Sequence, residues 1–118
     1  MLFPDLVPRA LVTLTRRGVS VIGEREARLL DAVDRVRSIK DAASEAGISY
    51  RTAWSAIQQM EQALGRPMVV SRAGGPGGGG TTLTDECRRL LALYQDLRRR
   101  LEEILTRAWE TEPAEASD

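Results

Sequence analysis

The sequence predicts a mainly α fold with small β elements, and three observations carry that expectation. Apolar residues recur at helical spacing from residue 24 to 64 and again from 83 to 108. Short β-branched runs flank Arg16-Arg17-Gly18, and the segment Ala73-Gly74-Gly75-Pro76-Gly77-Gly78-Gly79-Gly80 parts two more such runs. The two patterns are distinguishable because a helix gathers residues 3.6 apart on one face, whereas a strand gathers every second residue. At 118 residues with 4% aromatics, a single modest core of Leu, Ile, Val and Ala is expected.

Composition narrows the function classes. No apolar run is long enough to span a bilayer. The opening MLFPDLVPRALVTL is broken by Pro4 and Pro8 and lacks a basic lead, which makes a poor signal peptide, so a cytoplasmic location without a membrane partner is expected. One cysteine, Cys87, excludes an internal disulfide, and the absence of histidine removes conventional zinc sites and His-based triads. The expectation is no enzyme activity, no metal and no cofactor. The net charge of zero is uneven: residues 101–118 hold six acids against Arg107, a net of −5, which leaves +5 on residues 1–100. Sixteen of the seventeen basic residues are Arg, which suits bidentate contact with phosphate or guanine.

Taken in order, Ala10–Thr15 and Val19–Ile22 around Arg16-Arg17-Gly18 form a hairpin signal. From Glu24 the period changes, and Ala27, Leu29, Leu30, Ala32, Val33 and Val36 make a helix ending near Arg37. Ser38 then caps a short helix, Ser38–Ser44, whose small residues let it cross a neighbour closely. Gly47 can take the left-handed conformation that ends it, and Ser49 stands where the next N-cap belongs. In the following helix, which reaches Leu64, Ala53, Ala56, Ile57, Met60 and Leu64 form the stripe to be buried. Tyr50, Arg51, Thr52, Ser55 and Gln58 occupy the opposite face, near the N-terminal end that a helix-turn-helix points into the major groove.

After Gly65-Arg66-Pro67, the runs Met68–Arg72 and Thr81–Leu83 make a second hairpin around the glycine loop, so the predicted fold is a winged helix-turn-helix with an N-terminal hairpin and a Gly-rich wing. That loop contains G-x-G-x-x-G at Gly75, Gly77 and Gly80. The dinucleotide fingerprint needs a helix directly after it, and a strand-like Thr-Thr-Leu follows instead, so nucleotide binding is rejected. Glycines still permit close backbone approach to a phosphate or a minor groove, with Arg72 and Thr81 as anchors at the loop's base.

Thr84-Asp85-Glu86 caps the longest helix, which reaches about Trp109. Leu83, Cys87, Leu90, Tyr94, Leu97, Leu101, Ile104 and Ala108 alternate spacings of four and three, a heptad seam that needs a partner. The helix of residues 24–37 can cover its first half, but about 25 residues run roughly 37 Å and outreach so small a domain. Dimerisation through Leu90, Tyr94, Leu97, Leu101, Ile104 and Ala108 is therefore expected, with Cys87 a core residue. Three regions result: a winged helix-turn-helix over 1–83, a long dimerisation helix over 84–109, and an acidic tail over 110–118 expected to be disordered.

The segment GISYRTAWSAIQQME, the wing residues Ser71 to Gly75 with Gly77 to Gly80, and Leu83-Thr84 together resemble the N-terminal DNA-binding domain of ModE-type molybdate-responsive regulators. That domain is itself similar to the winged helix of LysR-type regulators. The resemblance covers about residues 10–108, and it implies a homodimer on a palindromic operator in double-stranded DNA, one recognition helix per half-site. In the family, molybdate binds to C-terminal domains that have no counterpart here, so the expectation is a regulator without its own effector domain. A heterodimer with a full-length molybdate regulator is a further possible partnership, and a module that keeps the fold but binds another regulator instead of DNA is the alternative.

Residue roles follow from position. Ser49, Tyr50, Arg51, Thr52, Ser55 and Gln58 are the groove candidates, with Arg51 directed to guanine or phosphate and Gln58 to a base edge or phosphate. Trp54 borders both faces, where its bulk suits wedging the helix in place more than touching a base. Ser38 and Lys40, at a helix start, are placed to meet backbone phosphate.

Overall fold

The computed structural model describes residues 2–74 and 79–111, and its elements follow the periodicities of the sequence. In chain order they are β1 (Leu14–Arg16), β2 (Val19–Ile22), α1 (Glu24–Val36), α2 (Ile39–Ala46), α3 (Tyr50–Leu64), β3 (Val69–Arg72), β4 (Gly80–Leu83) and α4 (Asp85–Glu110). Each helix starts and stops for a local reason. Glu26 folds back so that its carboxylate accepts from the Gly23 N–H at 2.9 Å, opening α1. Ser38 Oγ accepts from Asp41 N and Ser49 Oγ from Thr52 N, both at 3.0 Å, caps worth about 1 kcal/mol each. Between α2 and α3, Gly47 sits at φ 75°, while its N–H donates to Ser44 O and that of Ile48 to Ala43 O. This paired closure requires a left-handed residue, and glycine supplies it without a Cβ penalty.

The three helices close on one another through small side chains. Ala42, Ala43, Ala53 and Ala56 are buried, and around them Leu29, Leu30, Val33, Ile57 and Met60 fill the core. This core continues into the first half of α4 through Cys87, Leu91 and Tyr94. Burial pushes the Cys87 thiol up to about 12, with Asp34 adding to the shift, so it stays protonated in the fold.

The first hairpin is shorter than expected. β1 begins at Leu14, pairs with β2 around Arg17 and Gly18 at φ 54° and 81°, and carries a bulge between Leu14 and Thr15. Residues 10–13 instead belong to an arm that lies along α4. Tyr94 Oη donates to Val12 O at 2.8 Å, and Trp109 Nε1 donates to Leu6 O at 3.1 Å. From residue 94 to 109 a helix rises about 22 Å, and from residue 6 to 12 an extended chain covers about 20 Å. The two lengths match, so the arm runs antiparallel to the helix. Burial also raises the Tyr94 phenol, followed by the effect of Glu24.

The wing is antiparallel, with Val69 opposite Leu83 and Arg72 opposite Gly80. Its second strand is tied to the end of α1, because Thr81 N donates to Arg37 O at 3.0 Å. Gly80, at φ 145°, is obligatory there, since a Cβ would stand 2.7 Å from the Arg37 carbonyl oxygen. A strand, not a helix, begins at Gly80, as the rejection of a nucleotide fingerprint requires; Gly75 and Gly77 lie outside the described residues. The helix α4 runs through Glu110, and residues 112–118 of the acidic tail are likewise outside them.

Candidate nucleic-acid interface

The face of α3 turned away from the core is polar and carries almost no negative charge. Tyr50, Arg51, Ser55 and Gln58 are exposed, and the same spacing continues to Gln62, which sequence reasoning left out although its period shows it. Tyr50 stands edge-on to Trp54, with ring centroids 6.4 Å apart. Trp54 is half-buried against the core, in the wedging position its bulk suggested. The single carboxylate of α3, Glu61, is directed away from this face, where it accepts from Met68 N at 2.8 Å at the start of the wing. Arg16 of the first hairpin holds the other end of α3 by donating to Ala63 O and Leu64 O at 3.1 and 3.2 Å, a cation at a helix C-terminus.

Three candidates are committed to the fold itself. Ser49 accepts from Thr52 N and donates to Thr52 Oγ1 at 2.9 Å, so neither of these neighbouring hydroxyls is idle. Ser38 is half-buried and occupied as the α2 cap, while Lys40 beside it is exposed. Thr81 requires a correction as a groove-facing anchor. Its side chain is buried on the inner face of the wing and bonded to Ser71 Oγ at 3.1 Å, because alternation along β4 turns residues 81 and 83 inward. Arg72, one register step away on the outer face, is exposed.

The cations differ in their pairing, and among the described residues Arg17 of the first hairpin and Arg89 and Arg107 of α4 have no carboxylate partner. On α4, Arg98 reaches Glu24, Arg99 reaches Asp96 and Glu103, and Arg100 reaches Asp96. Arg35 of α1 is paired with Asp31 and Glu45, which keeps the Glu45 carboxyl below its ordinary range. Around the helix-turn-helix and the wing, Arg37, Lys40, Arg51 and Arg72 have no carboxylate within ion-pair distance among the described residues. Arg37 was not foreseen; its neighbours in the fold, not its neighbours in sequence, reveal it.

The expected seam on α4 divides in two. Tyr94 is corrected from interface to core: it is fully buried in its own protomer, where Val12 accepts its hydroxyl proton. Leu90 is half-buried against the same core. Leu97, Ile104 and Ala108 remain exposed, Leu101 is half-buried beside them, and Leu93, absent from the expected seam, joins their stripe. The arm adds exposed Leu2, Phe3, Leu6, Val7 and Leu11.

A polar, carboxylate-poor helix set by a tight turn and flanked by a two-stranded wing defines a winged helix-turn-helix domain. The chain belongs to the family described as "Bacterial regulatory helix-turn-helix protein, lysR family", whose model matches residues 25–88, more than half of it. The matched segment is that family's helix-turn-helix, and its winged helix is ModE-like. The chain is 41% identical over 88 residues to the molybdenum transport protein ModE of Azotobacter vinelandii, covering 75% of this chain and 33% of that protein. It is 43% identical over 83 residues to the molybdenum-pterin-binding protein MopB of Rhodobacter capsulatus, covering 70% and 30%. The DNA-binding transcriptional dual regulator ModE of Escherichia coli K12 is 42% identical over 85 residues, covering 71% and 32%. The chain thus spans about a third of the length of the curated relatives it matches. A homodimeric winged helix-turn-helix domain from Mycobacterium bovis, described as a possible ArsR-family regulator, aligns over 63% of this chain and 67% of that one, at 22% identity and a TM-score of 0.46. No helix among the described residues is long and apolar enough to cross a membrane, and no group of three or more His, Cys, Asp or Glu there could hold a metal ion.

Proposed function

We propose that the chain reads double-stranded DNA as a homodimer, with α3 in the major groove of each half of a palindromic operator. The observation that carries this reading is free charge beside α3: among the described residues Arg37, Lys40, Arg51 and Arg72 have no carboxylate partner, while Arg98, Arg99 and Arg100 of α4 are paired with Glu24, Asp96 and Glu103. Free guanidinium groups beside a polar helix face suit phosphate and guanine contacts. Arg51, Ser55 and Gln58 are the proposed base readers, with Tyr50 beside them and Lys40 and Arg72 on the backbone.

Two-fold pairing rests on the apolar surface left open. Leu93, Leu97 and Ile104 on α4, with Leu6, Val7 and Leu11 on the arm, are 39 to 83% exposed. Together with Leu2, Phe3 and Trp109 they offer on the order of 1,000 Å² per protomer, against the ~800 Å² each partner contributes to a standard interface. A second copy covers them, and Leu101 and Ala108 lie on the same stripe. Selection of bound fragments from random duplex, followed by anisotropy titration of the winner, tests the reading. A palindromic winner bound by two copies supports it, and failure to enrich any sequence refutes it in favour of a module that binds another regulator.

A further inference from the structure

We propose that Arg37, together with Arg72, holds a phosphate of the bound DNA backbone in a cleft beside the wing; this rests on the DNA reading above. The cleft has a volume of about 550 Å³ and is lined by Arg37, Arg72 and Arg88, with Gly80 and Thr82 of β4 and Asp85 at the start of α4. Arg88 is engaged by two carboxylates, Asp34 and Asp85 at 3.2 and 3.4 Å, so it has no charge to spare for a ligand. The positive charge left over belongs to Arg37 and Arg72, whose guanidinium groups make no hydrogen bond or ion pair among the described residues.

The backbone of Arg37 adds an independent argument. It sits at φ 58°, in the left-handed region, because it closes α1 through its N–H to Val33 O while its carbonyl accepts from Thr81 N at 3.0 Å. Glycine takes that conformation freely and an L side chain only under strain. Arg17 shares this backbone conformation in the turn of the first hairpin, but Arg37 alone of the two lines the cleft, where its guanidinium is available for contact. Its neighbour in sequence is Ser38, the cap of α2, the helix that crosses the DNA backbone in this motif. A phosphate held between the end of α1 and the base of the wing would meet Arg37 and Arg72 together, which fixes register without reading sequence.

The test is Arg37→Gly, which removes the side chain and relaxes the backbone, with Arg37→Lys as the charge-preserving control. Affinity for the selected operator and for an unrelated duplex is measured from 50 to 300 mM KCl. Losing one phosphate contact lowers the log–log salt slope by about 0.9, which at 0.1 M salt is about eightfold in affinity. The expected result is that loss for Arg37→Gly on both duplexes alike, with recovery of the slope in Arg37→Lys. Equal slopes and affinities for wild type and Arg37→Gly overturn the inference while leaving the DNA reading intact. Wild-type protein that binds neither duplex overturns both. Inorganic phosphate that raises the melting temperature of wild type but not of Arg37→Gly, with no change in DNA slope, overturns it by making the cleft a free-anion site.

Discussion

On the proposed homodimer, truncating the open stripe of α4 at both Leu97 and Ile104 to alanine separates the two copies without unfolding the protomer. Leu97 is 39% and Ile104 59% exposed in a single protomer, roughly 180 Å² of surface together that a partner can cover. Alanine removes about two-thirds of that, and each substitution occurs twice across a two-fold interface, so about 240 Å² of burial is lost. At about 25 cal/mol per Å² the loss is ~6 kcal/mol as an upper bound. Incomplete coverage brings it to 3–6 kcal/mol, roughly 100- to 10,000-fold in the dimer Kd. Alanine is the best helix former, so the helix itself is not weakened. Sedimentation velocity over a concentration series, with circular dichroism as a folding control, reads the result. A dimer Kd within threefold of wild type in the folded double variant refutes the assignment of this stripe to the interface.

Arg51→Ala costs about 1 to 3 kcal/mol in operator affinity with the dimer intact; unchanged affinity by anisotropy removes Arg51 from the interface. Tyr94→Phe keeps the buried ring but leaves Val12 O without its donor, a cost of about 1 kcal/mol. It also speeds amide exchange in residues 6–13, and equal exchange rates would show that this bond does not hold the arm. The buried Cys87 predicts a pH dependence. Its folded pKa of about 12 lies above the ordinary 9.0, so the unfolded chain deprotonates first. Stability from this group is complete below pH 9 and falls as pH rises towards 12, by about 1.4 kcal/mol per unit. Urea midpoints from pH 7 to 11 should show that fall in wild type and less of it in Cys87→Ala; parallel curves contradict it. Gly80→Ala forces the wing away from Arg37 O, and a melting temperature equal to wild type would show that the wing gives way at no cost.

The parts of this molecule that were legible in its sequence are those governed by short-range chemistry. Caps at Ser38, Ser49 and Thr84 act over three residues, the Gly47 turn over five, and the apolar spacing of α3 over one helix. What escaped depends on partners far apart in the chain. Val12 and Tyr94 are 82 residues apart, and the heptad spacing that placed Tyr94 on a seam cannot say which part of the seam the protomer keeps for itself. Thr81 lay at the right end of the wing but on its inner face, a distinction set by the register of β3 against β4. Arg37 looked like the last residue of a helix; only the approach of Gly80 and Arg72 gives it a cleft to occupy.

The same long-range bonds bear on how two recognition helices can be held at a fixed separation. If α4 pairs the protomers, the angle between α4 and α3 sets the distance between half-sites. Besides the core packing of Cys87, Leu91 and Tyr94, one joint holds that angle. Thr84 Oγ1 donates to Pro67 O at 2.9 Å while accepting from Cys87 N, and its N–H donates to Met68 O at 3.0 Å. Met68 N in turn donates to Glu61 near the end of α3, and Arg66 pairs with Glu86 at 2.9 Å across the same joint. The cap that starts α4 is thus also the clamp on the segment leaving α3. On the proposed dimer, a rigid joint of this kind would make the spacing of half-sites a property of each protomer rather than of the DNA, because bending α4 away from α3 would break the Thr84 bonds and unpair the Arg66 bridge together.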